Sequence, residues 1–227
     1  MSAADAPASS AIVPGDVISD LYASLSPAER YIHQTRDAAL LDLLERHGWA
    51  SLSGARILEI GCADGAFLRA LLHYGARPEL LTGIDIDPAK LERASTAAPG
   101  VKLIEADGAA LPGQDAAYDL VFAFTFFSSV SDPAPRRRAA SEALRVLRDG
   151  GLLVVYDFWI NPTNTRVRAL GATELRSLVA PHRAEVQRLT LAPPVVRALR
   201  GLPGVCRSLE RLPLLRTHLL AAVTKEQ

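Results

Sequence analysis

Residues 58–65 read LEIGCADG, a short apolar run followed by two glycines, Gly61 and Gly65, with three residues between them. An apolar run that ends in a glycine turn is typical of a strand that leads into a ligand-binding loop of an open parallel sheet. A dinucleotide would require Gly-x-Gly-x-x-Gly, which lets a helix start approach a pyrophosphate closely. The corresponding positions here are Gly61, Ala63 and Ala66. Two of the three glycines are missing, so the loop disfavours a dinucleotide.

Short apolar stretches alternate with helical ones on both sides of this loop. The predicted strands lie in RILEI, LLTGIDI, VKLIEA, YDLVFAF, LLVVYDF, residues 184–191 and a stretch within 217–224. The predicted helices cover residues 27–46, 66–73, 88–95, 136–147 and 173–179. Such alternation builds a parallel sheet with helices on both faces. We therefore predict an α/β, Rossmann-like fold with seven strands.

The domain organisation follows from length and composition. A chain of 227 residues with 49% hydrophobic content can bury one sizeable core. We predict a flexible arm at residues 1–20, rich in Ala, Ser and Pro, followed by a single domain at 21–227. The arm lacks the basic start and the continuous apolar stretch of a signal peptide.

A proline-broken, arginine-rich segment lies between the last two predicted strands, at about residues 192–216. We call it the insert. Its simplest interpretation is a helical hairpin that packs on the sheet with arginines outside. The alternatives are a lid over a substrate, or a surface that contacts an anionic or lipid-linked acceptor.

Charge and cysteine content limit the partners. Lys+Arg and Asp+Glu balance at 25 each, so no overall field draws the chain to nucleic acid, and we expect no nucleic-acid partner. Cys62 and Cys206 are far apart and form no Cys-x-x-Cys motif, which favours a reducing, cytoplasmic setting and no metal. No apolar run reaches the length of a membrane span, so we expect no integral membrane association. The oligomeric state is open between monomer and homodimer.

The loop resembles the first motif of the class I S-adenosylmethionine-dependent methyltransferases, an acidic residue, an apolar residue, then Gly-x-Gly-x-Gly. Glu59, Gly61 and Gly65 match. Ala63 replaces the middle glycine, which requires a backbone conformation that alanine tolerates. The resemblance implies a cofactor with an amino-acid tail and no phosphate, methyl transfer with release of S-adenosylhomocysteine, and an antiparallel last strand. The pattern YDF-x-x-N-P with the insert resembles bacterial enzymes of small-molecule and glycan pathways.

The resemblance also implies the remaining cofactor contacts. Asp85 ends the second strand and could accept hydrogen bonds from both ribose hydroxyls, whereas Asp87, before Pro88, is expected to cap a helix. Asp107 ends the third strand, where the family places an acid against the adenine amino group. The expected cofactor-binding residues are Glu59, Gly61, Cys62, Ala63, Asp64, Gly65, Asp85, Ile86, Asp107, Gly108 and Phe124.

A hydroxyl acceptor would require a general base, and two residues are candidates. Asp157 follows the fifth strand among aromatic residues, although it could equally tie down a loop by hydrogen bonds to backbone amides. His33 in the first helix is the second candidate. The expected substrate-binding residues are Tyr31, Thr125, Ser128, Asn161 and Asn164.

The segment after the fourth strand, FAFTFFSSVSD, lacks both the Asn/Asp-Pro-Pro-Tyr/Phe motif of enzymes that methylate nucleic-acid amines and acids placed to hold magnesium. The sequence therefore favours metal-free O-methylation of a sugar or another small molecule. The alternatives are N- or C-methylation of a small metabolite, an NAD-dependent oxidoreductase, and a non-catalytic cofactor-binding protein.

Overall fold

The computed structural model describes residues 26–161 and 167–226. The strands are β1 Ile57–Ile60, β2 Leu81–Asp85, β3 Lys102–Glu105, β4 Tyr118–Phe124, β5 Leu147–Phe158, β6 Ala184–Leu191 and β7 Arg216–Thr224. The helices are α1 Pro27–Arg46, α2 Ala66–His73, α3 Pro88–Ala97, α4 Pro133–Val146, α5 Ala172–Leu178, α6 Pro193–Ala198 and α7 Pro203–Glu210. The predicted arm at 1–20 and Asn164 lie outside the described residues.

All seven strands form one sheet in the order β3-β2-β1-β4-β5-β7-β6. The five strands from β3 to β5 are parallel, and β7 runs antiparallel to both β5 and β6. The direction of winding reverses between β1 and β4, and ligands bind at such a reversal, beyond the carboxyl ends of the strands. The predicted fold class is confirmed.

Both ends of helix α4 differ from the prediction. Helix α4 begins at Pro133 rather than at Arg136, because proline suits the first helical turn, where its missing amide is not needed. The helix also stops one residue earlier than predicted, because Leu147 already pairs with Tyr118 in the sheet. The register then shifts across the glycine turn before the strand resumes at Leu152.

Both faces of the sheet are buried, as a doubly covered parallel sheet requires. Along β4, Leu120, Phe122 and Phe124 pack in one core cluster, while Val121 and Ala123 pack in the other. This period of two is the pleat of a strand whose successive side chains face opposite sides. Across the described ranges, no helix combines the length and the apolar character that crossing a bilayer demands.

The insert folds into α6 and α7, which pack against α1 and the end of β6. A third cluster joins these elements through Ala28, Tyr31, Ile32, Leu191, Val196 and Cys206. The turn between α6 and α7 approaches the start of α1 so closely that a Cβ on Gly201 would overlap the backbone of Pro27. Gly201 also has a φ of +67°, which favours glycine. The insert is therefore fastened to the first helix.

Candidate functional site

Three neighbouring cavities open at the carboxyl edge of the sheet. The loop cavity, about 550 Å³, lies between the glycine loop and α1, and its lining includes Arg36, Glu59, Ala63, Phe67 and Phe124. The edge cavity, about 460 Å³, lies at the ends of β2 and β3, and its lining includes Asp85, Ile86, Asp107, Gly108 and Phe126. The insert cavity, about 460 Å³, lies between α1, β5 and the insert, and its lining includes Glu29, His33, Asn161, Pro193, Arg197 and His218.

The glycine loop uses its amides within the protein. The amides of Gly61 and Cys62 donate to the carbonyl of Ile84 at 2.7 and 2.9 Å, and the amide of Ala63 donates to Oδ2 of Asp85 at 2.9 Å. A phosphate site needs several free amides that converge on the anion. Three consecutive amides are committed here, so the loop suits a ligand without a phosphate.

Ala63 adopts a left-handed conformation with φ of +47°. The expectation that its backbone stays in a region tolerated by alanine is therefore wrong. The left-handed region costs a residue with a Cβ about 1–2 kcal/mol. The loop keeps this strain because the Ala63 amide must point at Asp85 to make its hydrogen bond.

Glu59 presents a buried, unpartnered oxygen to the loop cavity. Its side chain is 3% exposed, and Oε2 has no hydrogen-bond partner among the residues that the structure describes. Burial raises the pKa of Glu59 to about 8, against the opposing effect of the Arg36 guanidinium. Buried polar atoms in folded proteins nearly always have a hydrogen-bond partner, so Oε2 of Glu59 is suited to accept a hydrogen bond from a ligand. A carboxyl of this kind fits the ammonium group of an amino-acid tail.

Asp85 is fixed at the end of β2 and faces the edge cavity. Its Oδ2 accepts the amide of Ala63, and its Oδ1 accepts the amide of Asp87 at 3.0 Å. Each carboxylate oxygen has a further lone pair, so the group can accept two more hydrogen bonds. Asp87 itself caps α3 by accepting the amide of Ala89, as predicted. Two neighbouring hydroxyls are suitable partners for Asp85.

The edge cavity has an apolar wall and one exposed acid. Ile86 is 67% exposed at its rim, although isoleucine normally avoids water. A Cβ on Gly108 would lie 2.5 Å from the ring of Phe126, so only glycine admits the ring there. Asp107 is exposed and lines the cavity, while its Oδ1 accepts the amide of Ala109. A flat apolar group with a hydrogen-bond donor at its edge fits this space.

Three other predicted cofactor residues occupy different environments. Cys62 is buried in the core, and burial raises the pKa of its thiol to about 12, so it can contribute its backbone only. Asp64 is exposed and lines the loop cavity, and it does not cap α2, whose N-cap is Gly65. Phe124 lines both the loop and edge cavities and stacks on Phe67 at 3.9 Å.

The insert cavity has an aromatic wall that the sequence did not reveal. The rings of Tyr156 and His218 stack at 4.8 Å and 4°, and Phe158 lies 4.1 Å from His218. Burial lowers the pKa of His218 to about 3, so its imidazole is neutral at ordinary pH. His218 reaches this wall because it pairs with Phe158 across β5 and β7.

Four residues line both the loop cavity and the insert cavity: His33, Arg36, Thr125 and Tyr156. Thr125 also lines the edge cavity. It has a φ of +51°, and its amide donates to the carbonyl of Tyr156 at 2.6 Å. Burial and the neighbouring Arg36 lower the pKa of His33. Any group transfer between ligands in these two cavities must pass these four residues.

The structure does not bring Asp157, Ser128 and Tyr31 to the cavities. Asp157 is fully buried, and its two oxygens accept the amides of Ser128 at 3.0 Å and Phe158 at 2.8 Å. Successive strand residues face opposite sides, so Asp157 faces away from the cavity that Tyr156 and Phe158 line. These contacts are those of the loop-tying alternative.

Ser128 is 1% exposed, and the hydroxyl of Tyr31 donates to Oε2 of Glu210 at 2.6 Å. Neither residue lines any of the three cavities. Thr125 and Asn161, in contrast, line the insert cavity, and their role as substrate contacts stays a prediction. Within residues 26–161 and 167–226, no group of three or more His, Cys, Asp or Glu side chains is arranged to hold a metal ion.

Comparison with known proteins finds similarity to methyltransferases over part of the chain. Residues 58–155 match the family model described as a methyltransferase domain. The chain is 32% identical over 123 residues to a 27-O-demethylrifamycin SV methyltransferase of Amycolatopsis mediterranei, a match that covers 52% of this chain and 43% of the relative. It is also 31% identical over 144 residues to a phthiotriol/phenolphthiotriol dimycocerosates methyltransferase of Mycobacterium leprae. That match covers 57% of this chain and 50% of the relative. The chain thus spans about half the length of these relatives.

The fold also matches solved structures. An S-adenosylmethionine-dependent methyltransferase from Mesorhizobium loti superposes with a TM-score of 0.60 at 19% identity, over 80% of this chain and 95% of that one. A putative sarcosine dimethylglycine methyltransferase from Galdieria sulphuraria superposes with a TM-score of 0.63 at 17% identity. That superposition covers 87% of this chain and 88% of that one. At these identities the likeness establishes the fold.

Proposed function

We propose that this chain, whose residues 58–155 match the family model described as a methyltransferase domain, is an S-adenosylmethionine-dependent enzyme that methylates a hydroxyl group on a small molecule. The observation that carries the proposal is the shared wall of the loop and insert cavities, formed by His33, Arg36, Thr125 and Tyr156. The cofactor supplies an electrophilic methyl group on a sulfonium. The protein has to align donor and acceptor and to exclude water.

In this proposal the cofactor occupies the loop and edge cavities. Glu59 accepts the ammonium group of the amino-acid tail, since its Oε2 is buried without another partner. Asp85 accepts the ribose hydroxyls, since each of its oxygens holds one amide and has room for one more donor. Asp107 and Ile86, which both line the edge cavity, meet the adenine. The oxidoreductase alternative is not proposed, because the loop amides form no phosphate cradle.

The acceptor occupies the insert cavity in this proposal. Its aromatic wall of Tyr156, Phe158 and His218 would stack on a flat ring or on the apolar face of a sugar. Asn161 and the Glu29–Arg197 ion pair add polar groups to the same cavity. The volume of about 460 Å³ is within the range of small-molecule sites. The rifamycin relative is named for an oxygen-linked methyl group, which agrees with a hydroxyl acceptor.

His33 is the proposed general base. It lines the cavities on both sides of the transfer point. Its lowered pKa keeps the imidazole neutral at neutral pH, which leaves a nitrogen free to take a proton. Asp157 is not proposed for this role, because both of its oxygens hold backbone amides away from the cavities.

The test is methyl transfer by the purified protein to a panel of phenols and ring alcohols, followed by mass spectrometry. We expect S-adenosylhomocysteine to bind at micromolar or tighter affinity, NAD not to bind, and one acceptor to gain a single oxygen-linked methyl. The His33→Gln variant should bind S-adenosylhomocysteine normally and lose transfer. Failure of S-adenosylhomocysteine to bind, or methylation at nitrogen or carbon only, would contradict the proposal.

A further inference from the structure

Four arginines surround a shallow depression on the outer side of the insert. This arginine depression is lined by Arg188 of β6, Arg207 of α7, Arg211 just after α7, and Arg216 of β7, and its volume is about 280 Å³. The chain as a whole has no net charge. The positive charge is therefore local, and it lies away from the three cavities described above.

The positive charge of the depression is not neutralised within the described part of the chain, where none of the four arginines forms an ion pair with a carboxylate. The one acid in the lining, Glu210, directs its carboxylate inward, where it accepts the hydroxyl of Tyr31 and the amide of Leu191. Arg216 donates to the carbonyls of Glu210 and Arg188, and carbonyls leave its charge in place. The depression attracts anions.

Large apolar side chains are exposed in the same segment. Leu202 is 56% exposed, Val205 45%, Leu212 53% and Leu214 83%. Only three other large hydrophobic side chains among the described residues are comparably exposed, and they are scattered: Leu41, Ile86 and Ile160. These four side chains all fall within residues 202–214, and exposed apolar groups that lie close together mark an interaction surface. Leu212 and Leu214 directly follow Arg211, so cationic and apolar groups share one turn.

We propose that the arginine depression and the exposed leucines around it bind the surface of an anionic phospholipid bilayer. Phosphate headgroups would sit against the arginines, and the leucines would enter the boundary between headgroups and acyl chains. A free phosphate ion or a soluble polyanion would use the arginines and leave the leucines without a role. The combination of both features selects a lipid surface. The proposal does not depend on the methyl-transfer reaction.

The test is sedimentation with vesicles of phosphatidylcholine alone and of phosphatidylcholine mixed with phosphatidylglycerol. We expect the protein to bind the mixed vesicles, to bind the neutral vesicles weakly, and to be released by high salt. The double variant Arg207→Glu with Arg211→Glu should weaken binding at least about tenfold, since each basic residue near an anionic surface contributes about fivefold. The double variant Leu212→Asp with Leu214→Asp should also lose binding.

Matched controls separate this surface from general effects. Arg137 and Arg138 are exposed on α4, so Arg137→Glu with Arg138→Glu makes the same charge change elsewhere and should leave vesicle binding unchanged. The far-UV circular dichroism spectrum and the midpoint of urea unfolding report that each variant is folded. The proposal would be overturned if both arginine double variants lost vesicle binding equally, or if the leucine double variant kept it in full. Binding of inorganic phosphate without binding of vesicles would also overturn it.

Discussion

Nε of Arg197 in the insert donates a hydrogen bond of 2.9 Å to Oε1 of Glu29, near the start of the first helix. The Glu29 side chain is only 4% exposed, and both residues line the insert cavity. Two segments separated by 168 residues therefore meet at the proposed acceptor site. Removing the cationic partner of a buried carboxylate strongly destabilises a protein.

Replacing Arg197 by Met should lower the free energy of unfolding by about 2 kcal/mol, less than for a fully enclosed pair because Arg197 is partly exposed. Urea unfolding measures this. The KM for the acceptor should rise, while the affinity for S-adenosylhomocysteine should stay within about twofold, because Arg197 lines neither the loop cavity nor the edge cavity. The control Arg30→Met removes an exposed arginine of α1, next to Glu29 in the sequence, and should change little. Equal effects of both variants would contradict the proposed role of the ion pair.

The Glu59→Gln variant should change how stability depends on pH. The pKa of Glu59 is raised to about 8 in the folded state. Between its ordinary value near 4.5 and this raised value, the folded state binds the extra proton, so stability falls as pH rises. The Glu59→Gln variant lacks this titrating group, so its free energy of unfolding should rise relative to that of the wild type as pH rises. The expected rise is up to about 1.4 kcal/mol for each pH unit in that window.

Unfolding measured from pH 5 to pH 8 tests this expectation, with the exposed Glu45→Gln as control. The Glu59→Gln variant should also bind S-adenosylhomocysteine at least tenfold more weakly, because a neutral amide interacts more weakly with an ammonium group. A parallel pH dependence in variant and wild type would show that Glu59 is not the source of the effect.

The Ala63→Gly variant should be more stable than the wild type. Glycine removes the left-handed strain of about 1–2 kcal/mol. Its extra freedom in the unfolded chain costs about 0.4–1 kcal/mol, so the free energy of unfolding should rise by about 0.5–1 kcal/mol. Ala116 has a similar φ of +56° far from the loop, so Ala116→Gly should give a comparable gain. Only Ala63→Gly should alter cofactor affinity. A loss of stability at Ala63 would mean that its methyl group has packing contacts that outweigh the strain.

Asp85→Ala should abolish measurable binding of S-adenosylhomocysteine. The substitution removes the acceptors proposed for the ribose and also frees the Ala63 amide that holds the loop. Asp87→Ala, two residues away, removes a helix cap at a cost of about 1 kcal/mol and should leave binding intact. Calorimetric titration distinguishes the two. Unchanged affinity in Asp85→Ala would refute the assignment.

His33→Gln should reduce kcat about a hundredfold, a typical contribution of a general base. A base must be neutral, so the wild-type rate should fall as pH drops below the His33 pKa, which is lowered from its ordinary value near 6.5. The acidic limb of the pH–rate profile should therefore lie below pH 6.5 and should disappear in the variant. An unchanged limb in His33→Gln would assign the titration to another group.

The fold, and the placing of the proposed cofactor residues at one edge of the sheet, were predictable because their signals are local. Strand and helix alternate along the sequence, and Glu59, Asp85 and Asp107 stand at or near the ends of successive strands, which meet at one edge. The alternation of side chains along β5 also indicates which side of the sheet Asp157 faces, although the sequence-based prediction did not use it. Tyr156 and Phe158 flank Asp157, so an aromatic wall on one side implies that the acid faces the other.

The acceptor half was not predictable from local patterns. His218 faces the cavity because β7 pairs with β5, and no residue near it in the sequence indicates that register. Arg197 arrives through the fold of the insert, whose contact with α1 depends on Gly201 and a small apolar cluster. Contacts between distant segments of the chain therefore form the insert cavity, and a single sequence contains no direct record of such contacts.

The last strand of the chain lies between β5 and β6, so β6 has no neighbour in the sheet until β7 arrives. The edge cavity is lined only by residues from Gly61 to Val130, whereas the insert cavity needs Glu29 together with His218. As the chain leaves the ribosome, the parallel part of the sheet emerges first and the strand that completes the sheet emerges last. The edge cavity proposed for the cofactor is thus encoded earlier in translation than the insert cavity proposed for the acceptor.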